Sequence, residues 1–169
     1  KMYERNYFGM MMVERGDADA FITGLYTKYS NTIKVATEVV GVREGYHTFG
    51  TMHIVNSQKG TFYIADTLIN RHPDNNYLVD IARLSANTVE FFNEKPVMAM
   101  ISYSNFGTDE IGSPLKVHEA VEELHANYPN LIVDGEMQVN FALNREMRDE
   151  KYPFSKLKDK DVKIGRAHV

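Results

Sequence analysis

The chain has 169 residues, enough for one sizeable core or for one domain plus a piece of another. Hydrophobic residues make up 43% and charged residues 25%, with a net charge of −4, so nothing favours a nucleic-acid partner, which calls for a basic excess. There is no cysteine, which excludes disulfides, thiolate metal sites and a thiol nucleophile; no apolar run nears the ~20 residues that span a bilayer, and the start carries no signal-peptide pattern, so a cytoplasmic protein with no membrane partner is expected.

The chain starts at Lys1, and its last stretch, Lys163 to Val169 (K-I-G-R-A-H-V), fits no recognisable element. Both ends are expected to be cut or altered. Gly9 to Val13 is short and apolar and reads as a strand. In the G-D-A-D turn that follows, Asp17 is a candidate cap for a short helix. Ser30 to Val40 carries Ile33, Ala36, Thr37 and Val40 at helical spacing, and Gly41 suits the stop. His53 to Val55 and Thr61 to Ala65 read as two strands joined by N-S-Q-K-G.

Pro73 is expected to open a long helix with Leu78, Ile81, Ala82, Ser85, Val89 and Phe92 on one face. Val97 to Tyr103 is nearly continuous in apolar character, as in a strand buried on both sides of a parallel sheet. Ser113 and Pro114 read as the cap and first residue of a helix striped by Val117, Ala120, Val121 and Leu124. Leu131 to Val133 is a short strand ending at Asp134-Gly135-Glu136, and Met137 to Leu143 a short helix. The alternation predicts an α/β sheet with right-handed crossovers. Candidate boundaries lie at Gly41 to Gly45 and at Lys156 to Asp161.

Three segments are candidates for chemistry. Ligands of open α/β sheets gather beyond the carboxyl ends of strands. Ser102 to Gly107 has that position, and Ser104, Asn105 and Gly107 offer a hydroxyl, an amide and a free backbone donor to a phosphate or carbonyl. The same residue types also make ordinary turns. Asp134 and Glu136 are paired carboxylates, suited to acid–base work or metal binding, though a helix cap at Asp134 is the commoner use. Thr27 to Lys34 is polar at a helix start, and Thr32 and Lys34 suit an anion there; a solvated helix face has the same composition. The six histidines show no zinc spacing: His118 and His125 are seven apart and read as surface or edge positions. Met10 to Met12 reads as core filler. No metal site is expected, and no G-x-G-x-x-G marks a dinucleotide site.

In order along the chain, G-D-A-D (Gly16 to Asp19), A-D-T (Ala65 to Thr67), S-Y-S (Ser102 to Ser104), G-S-P-L-K-V (Gly112 to Val117) and I-V-D-G-E-M-Q (Ile132 to Gln138) with Ala142-Leu143 resemble the phosphate acetyl/butyryltransferase family. The resemblance runs from about Gly9 to Val162. S-Y-S-N-F-G, G-E-M-Q-V-N-F-A-L-N and K-Y-P-F-S-K-L resemble the version of this domain fused behind bacterial malic enzymes. Free-standing members typically read S-T-K-G after the strand and H-S-T-A-D-T-L-R in the earlier segment. Here Thr27 to Lys34 reads T-K-Y-S-N-T-I-K, with Lys34 where the family has Arg.

The resemblance implies an isocitrate/isopropylmalate-dehydrogenase-like three-layer α/β fold with one subdomain inserted into another, here incomplete. Residues 1–41 would end the first subdomain, 42–161 form the inserted one, and 162–169 be the return segment, truncated or foreign. The family's later Ser-Arg and Asp catalytic positions lie downstream of this stretch. The implied ligand is acetyl-CoA or CoA, with Thr32, Lys34, Ser104, Asn105, Gly107 and Asp134 as contact candidates. NADP and a divalent metal would belong to an upstream malic-enzyme domain of the same chain, and a homo-oligomer is implied. The departure in Thr27 to Lys34 favours a regulatory acetyl-CoA-binding module over an active phosphate acetyltransferase.

Overall fold

The computed structural model describes residues 3–66 and 73–167. Thr67 of the A-D-T segment lies outside them. The chain divides into two compact units, Lys1–Tyr46 and His47–Val169.

The first unit holds two helices, α1 (Arg5–Glu14) and α2 (Tyr29–Val39). The apolar run Gly9 to Val13 is therefore helical and not a strand. Five apolar residues do not distinguish the two periodicities. What decides is packing: the Phe21 ring lies where a side chain at position 9 would stand, so only glycine admits this contact, and Met10 is buried beside it. Asp17 caps nothing. It follows the end of α1 in a bend, and its backbone N–H closes on the Met12 carbonyl. Helix α2 ends as expected, with Gly41 at φ +74.

The second unit is a five-stranded sheet in the order β1-β2-β5-β3-β4. Strands β1 (Met52–Ser57) and β2 (Gly60–Ala65) form an antiparallel hairpin, and β2, β5 (Ile164–Ala167), β3 (Val97–Ile101) and β4 (Ile132–Met137) run parallel. Strand β3 has a parallel neighbour on each side. Met98 and Met100 face Leu78, Ala82, Val117 and Leu124 of α3 (Asn75–Phe91) and α4 (Ser113–Asn127). Val97 and Ala99 pack in the opposite layer with Met137, Ala142, Leu157 and Val162. Both faces are covered, which is why this strand reads as an unbroken apolar run. Burying each methionine side chain there contributes about 1.5–3 kcal/mol.

Several element ends differ from expectation. Pro73 stands outside α3, whose N-cap is Asp74, accepting from the Tyr77 N–H. Gly112 is the N-cap of α4, so Ser113 is already helical. Strand β4 continues through Asp134, Gly135 and Glu136, so Asp134 is no helix cap; α5 (Val139–Leu143) begins five residues later. Its backbone is needed in the ladder with Ala99 to Ile101. A side chain at Gly135, where φ is +145, would collide with the Met100 carbonyl. Helix α6 (Arg145–Lys151) was not foreseen. Nor was β5: the tail in which no element is legible fills the gap between β2 and β3.

Candidate functional site

The carboxyl end of the parallel sheet is built where β3 and β4 finish. The loop after β3 folds onto the end of β4 through its backbone: Ser102 donates to the Met137 carbonyl at 3.0 Å and Phe106 to the Glu136 carbonyl at 2.7 Å. Phe106 and Gly107 both adopt positive φ, 46° and 82°.

Side chains fix the loop further. Glu136 is fully buried, and its Oε1 accepts from Ser104 Oγ and from Gly107 N, each at 2.8 Å. Asn105 Oδ1 accepts from the Gln138 N–H at 2.8 Å, and Gln138 Nε2 donates to the Tyr103 carbonyl at 2.7 Å. Thus Ser104, Asn105 and Gly107 are brought together, but their hydrogen bonds turn inward and set the shape of the loop. Tyr103 remains exposed, and its hydrogen bond to Asp109 pushes the phenol pKa up.

Asp134 does not join this group. Its Oδ2 accepts from Ser155 Oγ at 2.7 Å and from Lys156 N at 2.8 Å, so it braces the turn leading toward β5. Arg148 does similar work beside it. Its guanidinium is buried and donates to the carbonyls of Ala142 and Leu157, and desolvation lowers its pKa.

His118 on α4 completes the cluster. Its Nδ1 lies 3.6 Å from Glu136 Oε2. Glu136 and His118 were the residues missed as a pair. The sequence displays both, but nothing local joins a helix histidine to a carboxylate at the end of the next strand. His125 is tied down as well, with Nε2 at 2.9 Å from the Val133 carbonyl.

Thr32 and Lys34 belong to the first unit. Thr32 Oγ1 lies 3.1 Å from Thr27 Oγ1 in a polar cluster with Asn6, which is buried. Lys34 is exposed and approaches Glu38 at 4.0 Å. It lines a cavity of about 280 Å³ with Glu4, Tyr7, Asn31 and Val35. A second cavity, of about 240 Å³, lies in the other unit and is lined by Lys59, Arg145, Arg148, Asp161 and Lys163 among others. Among the described residues, no three His, Asp or Glu side chains could hold a metal ion, and no helix is long and apolar enough to cross a membrane.

The family model of the phosphate acetyl/butaryl transferases matches residues 1–162. The chain belongs to this family. Among similar phosphate acyltransferases and their relatives is an NADP-dependent malic enzyme of Escherichia coli, 39% identical over 150 residues, which are 89% of this chain and 20% of that protein. The phosphate acetyltransferase of Bacillus subtilis is 32% identical over 157 residues, 93% of this chain and 49% of its own. A phosphotransacetylase structure from Streptococcus pyogenes superposes with a TM-score of 0.83 at 29% identity, covering 95% of this chain and 49% of that one. The chain thus spans one fifth of the malic enzyme and about half of the acetyltransferase. The mixed α/β sheet is that of the phosphotransacetylases.

Proposed function

We propose that this chain is the phosphotransacetylase-like domain of a larger, cytoplasmic NADP-dependent malic enzyme, and that it binds acetyl-CoA as a regulatory module. The supporting observation is the 39% identity to a malic enzyme over nearly the whole chain. The T-K-Y-S-N-T-I-K segment, unlike that of free-standing members, points the same way. In this reading the fold is of the isocitrate/isopropylmalate-dehydrogenase type, residues 42–161 are its inserted subdomain, and residues 162–169 are the return segment. The parent is a homo-oligomer. NADP, a divalent metal and malate decarboxylation belong to its upstream domain.

Each candidate residue has a role. In the first unit, Thr32 and Lys34 offer a hydroxyl and a cation to an anionic group. In the second, Ser104, Asn105 and Gly107 hold their own loop in one shape before binding, which lowers the ordering cost. Asp134 holds the neighbouring turn. The effect on the distant active site is a coupling free energy, on the order of 1–3 kcal/mol.

A second reading, active acyl transfer between acetyl-CoA and phosphate, is favoured by the 32% identity to a phosphate acetyltransferase. Two assays on the intact parent separate them. Acetyl-CoA titrated into malate decarboxylation changes its rate in the regulatory reading. Arsenolysis of acetyl-CoA occurs only in the transferase reading. A malate rate insensitive to acetyl-CoA contradicts the regulatory assignment.

A further inference from the structure

The cavity of about 240 Å³ in the second unit lies at the amino edge of the sheet, the edge opposite the Ser104 loop. Lys59 lines it from the turn before β2, Lys163 from the position before β5 and Arg145 from the start of α6. Phe62, Ala142, Leu143 and Val162 give it an apolar wall. The walls are held in place. Ser57 Oγ accepts from the Lys59 N–H and donates to the Gly60 carbonyl, which closes the hairpin turn. The buried Arg148 guanidinium donates to the carbonyls of Ala142, Leu157 and Lys160, which ties α5 to the turn before β5. The charge of the cavity runs against that of the chain, which is −4 overall. Among the described residues that line it, Asp161 is the sole carboxylate beside Lys59, Arg145, Arg148 and Lys163. Arg148 is balanced by Asp149 at 3.5 Å, and Lys163 by Glu94 at 3.3 Å. Lys59 has no ion pair among the described residues, and the Arg145–Asp161 pair, at 3.5 Å, is exposed. Exposed pairs are worth little, so Arg145 gives way to a better partner.

We propose that this cavity binds a phosphate group, free or as the head of a small phosphate ester. Its donors come from three separate segments, which suits a group with acceptor oxygens on several sides better than a planar carboxylate. Lys59 and Lys163 act as point charges, and Arg145 offers a forked donor. Arg148 contributes by fixing the wall, since its guanidinium already serves backbone carbonyls. The volume lies below the ~300–1,000 Å³ of pockets that take a drug-sized ligand, so a whole coenzyme A does not fit. An adjoining hollow of about 290 Å³ shares Lys59, Leu143, Arg145 and Asp161 and adds Glu146. Its charges balance, so it can take the neutral body of an ester while the head sits among the cations. Neither Lys34 nor Ser104 takes part, so the site stands or falls apart from the acyl-CoA reading.

The test titrates inorganic phosphate into the full chain at constant ionic strength and follows the backbone amide resonances. Saturable shifts are expected at Lys59, Gly60, Leu143 and Arg145. Lys59→Gln and Arg145→Gln change exposed side chains, so both variants should fold. Each should weaken phosphate binding about threefold to tenfold. Glycerol 3-phosphate distinguishes the two sources: tighter binding than inorganic phosphate assigns the ester, and equal or weaker binding assigns free phosphate. Shifts that grow linearly with phosphate overturn the site, and so does saturation that survives both substitutions. Succinate binding as tightly as phosphate overturns the phosphate assignment.

Discussion

Two buried charges stand near the carboxyl ends of two parallel strands, β4 and β5, that flank β3, and the chain treats them very differently. Glu136, ending β4, has donors from the loop it faces and a histidine beyond. Arg166, in β5, is 1% exposed, and none of its three guanidinium nitrogens has a hydrogen-bond partner among the described residues. Asp66 lies 3.7 Å away, yet desolvation outweighs it and pushes the Arg166 pKa down to about 10. The first is a charge whose surroundings were shaped for it. The second is a cation where a parallel central strand calls for an apolar side chain.

The largest effect is expected from Gly135→Ala beside Glu136. It forces a side chain against the Met100 carbonyl at positive φ and should destabilise the fold by roughly 4 kcal/mol, read as a lowered denaturation midpoint. Glu136→Ala removes two charge-assisted hydrogen bonds and strands their donors. A loss of about 3 kcal/mol is expected, with faster amide exchange at Gly107 than elsewhere in the sheet.

The opposite sign is expected at β5. Arg166→Leu, combined with Asp66→Asn, should stabilise the chain by about 2 kcal/mol in chemical denaturation. Its pH dependence follows from the lowered pKa. Below pH 10 Arg166 is charged in both the folded and unfolded chain, so its cost is constant and the gain does not vary between pH 6 and 9. Above about 10 the folded chain sheds the proton first, stability of the parent chain rises with pH, and the gain should shrink. The smallest effect is expected from Asn105→Ala, about 1 kcal/mol, because it removes one part-buried hydrogen bond to Gln138.

The sequence was legible where a local pattern carries the whole signal. Strand β3 is apolar at every position because both faces are covered, and the β1–β2 hairpin and the stripes of α3 and α4 show their periods directly. Helix α1 was not, since its strongest apolar run is only five residues long and its packing partner, Phe21, lies beyond the next turn. Strand β5 carries an arginine and a glycine in four residues and has no strand signature of its own. At the site, Ser104, Asn105 and Gly107 were singled out by residue type and position after a buried strand. That their donors point inward at Glu136 was not legible, because the bond joins residues 32 apart in the chain. The pairing of His118 with Glu136 escaped for the same reason.

In the regulatory reading this domain holds an acyl-CoA. Calorimetric titration of acetyl-CoA into the full chain tests it most directly. Saturable binding that is weakened by Lys34→Ala is the expected result. Absence of binding heat, with no rise in melting temperature at saturating acetyl-CoA, would contradict the account.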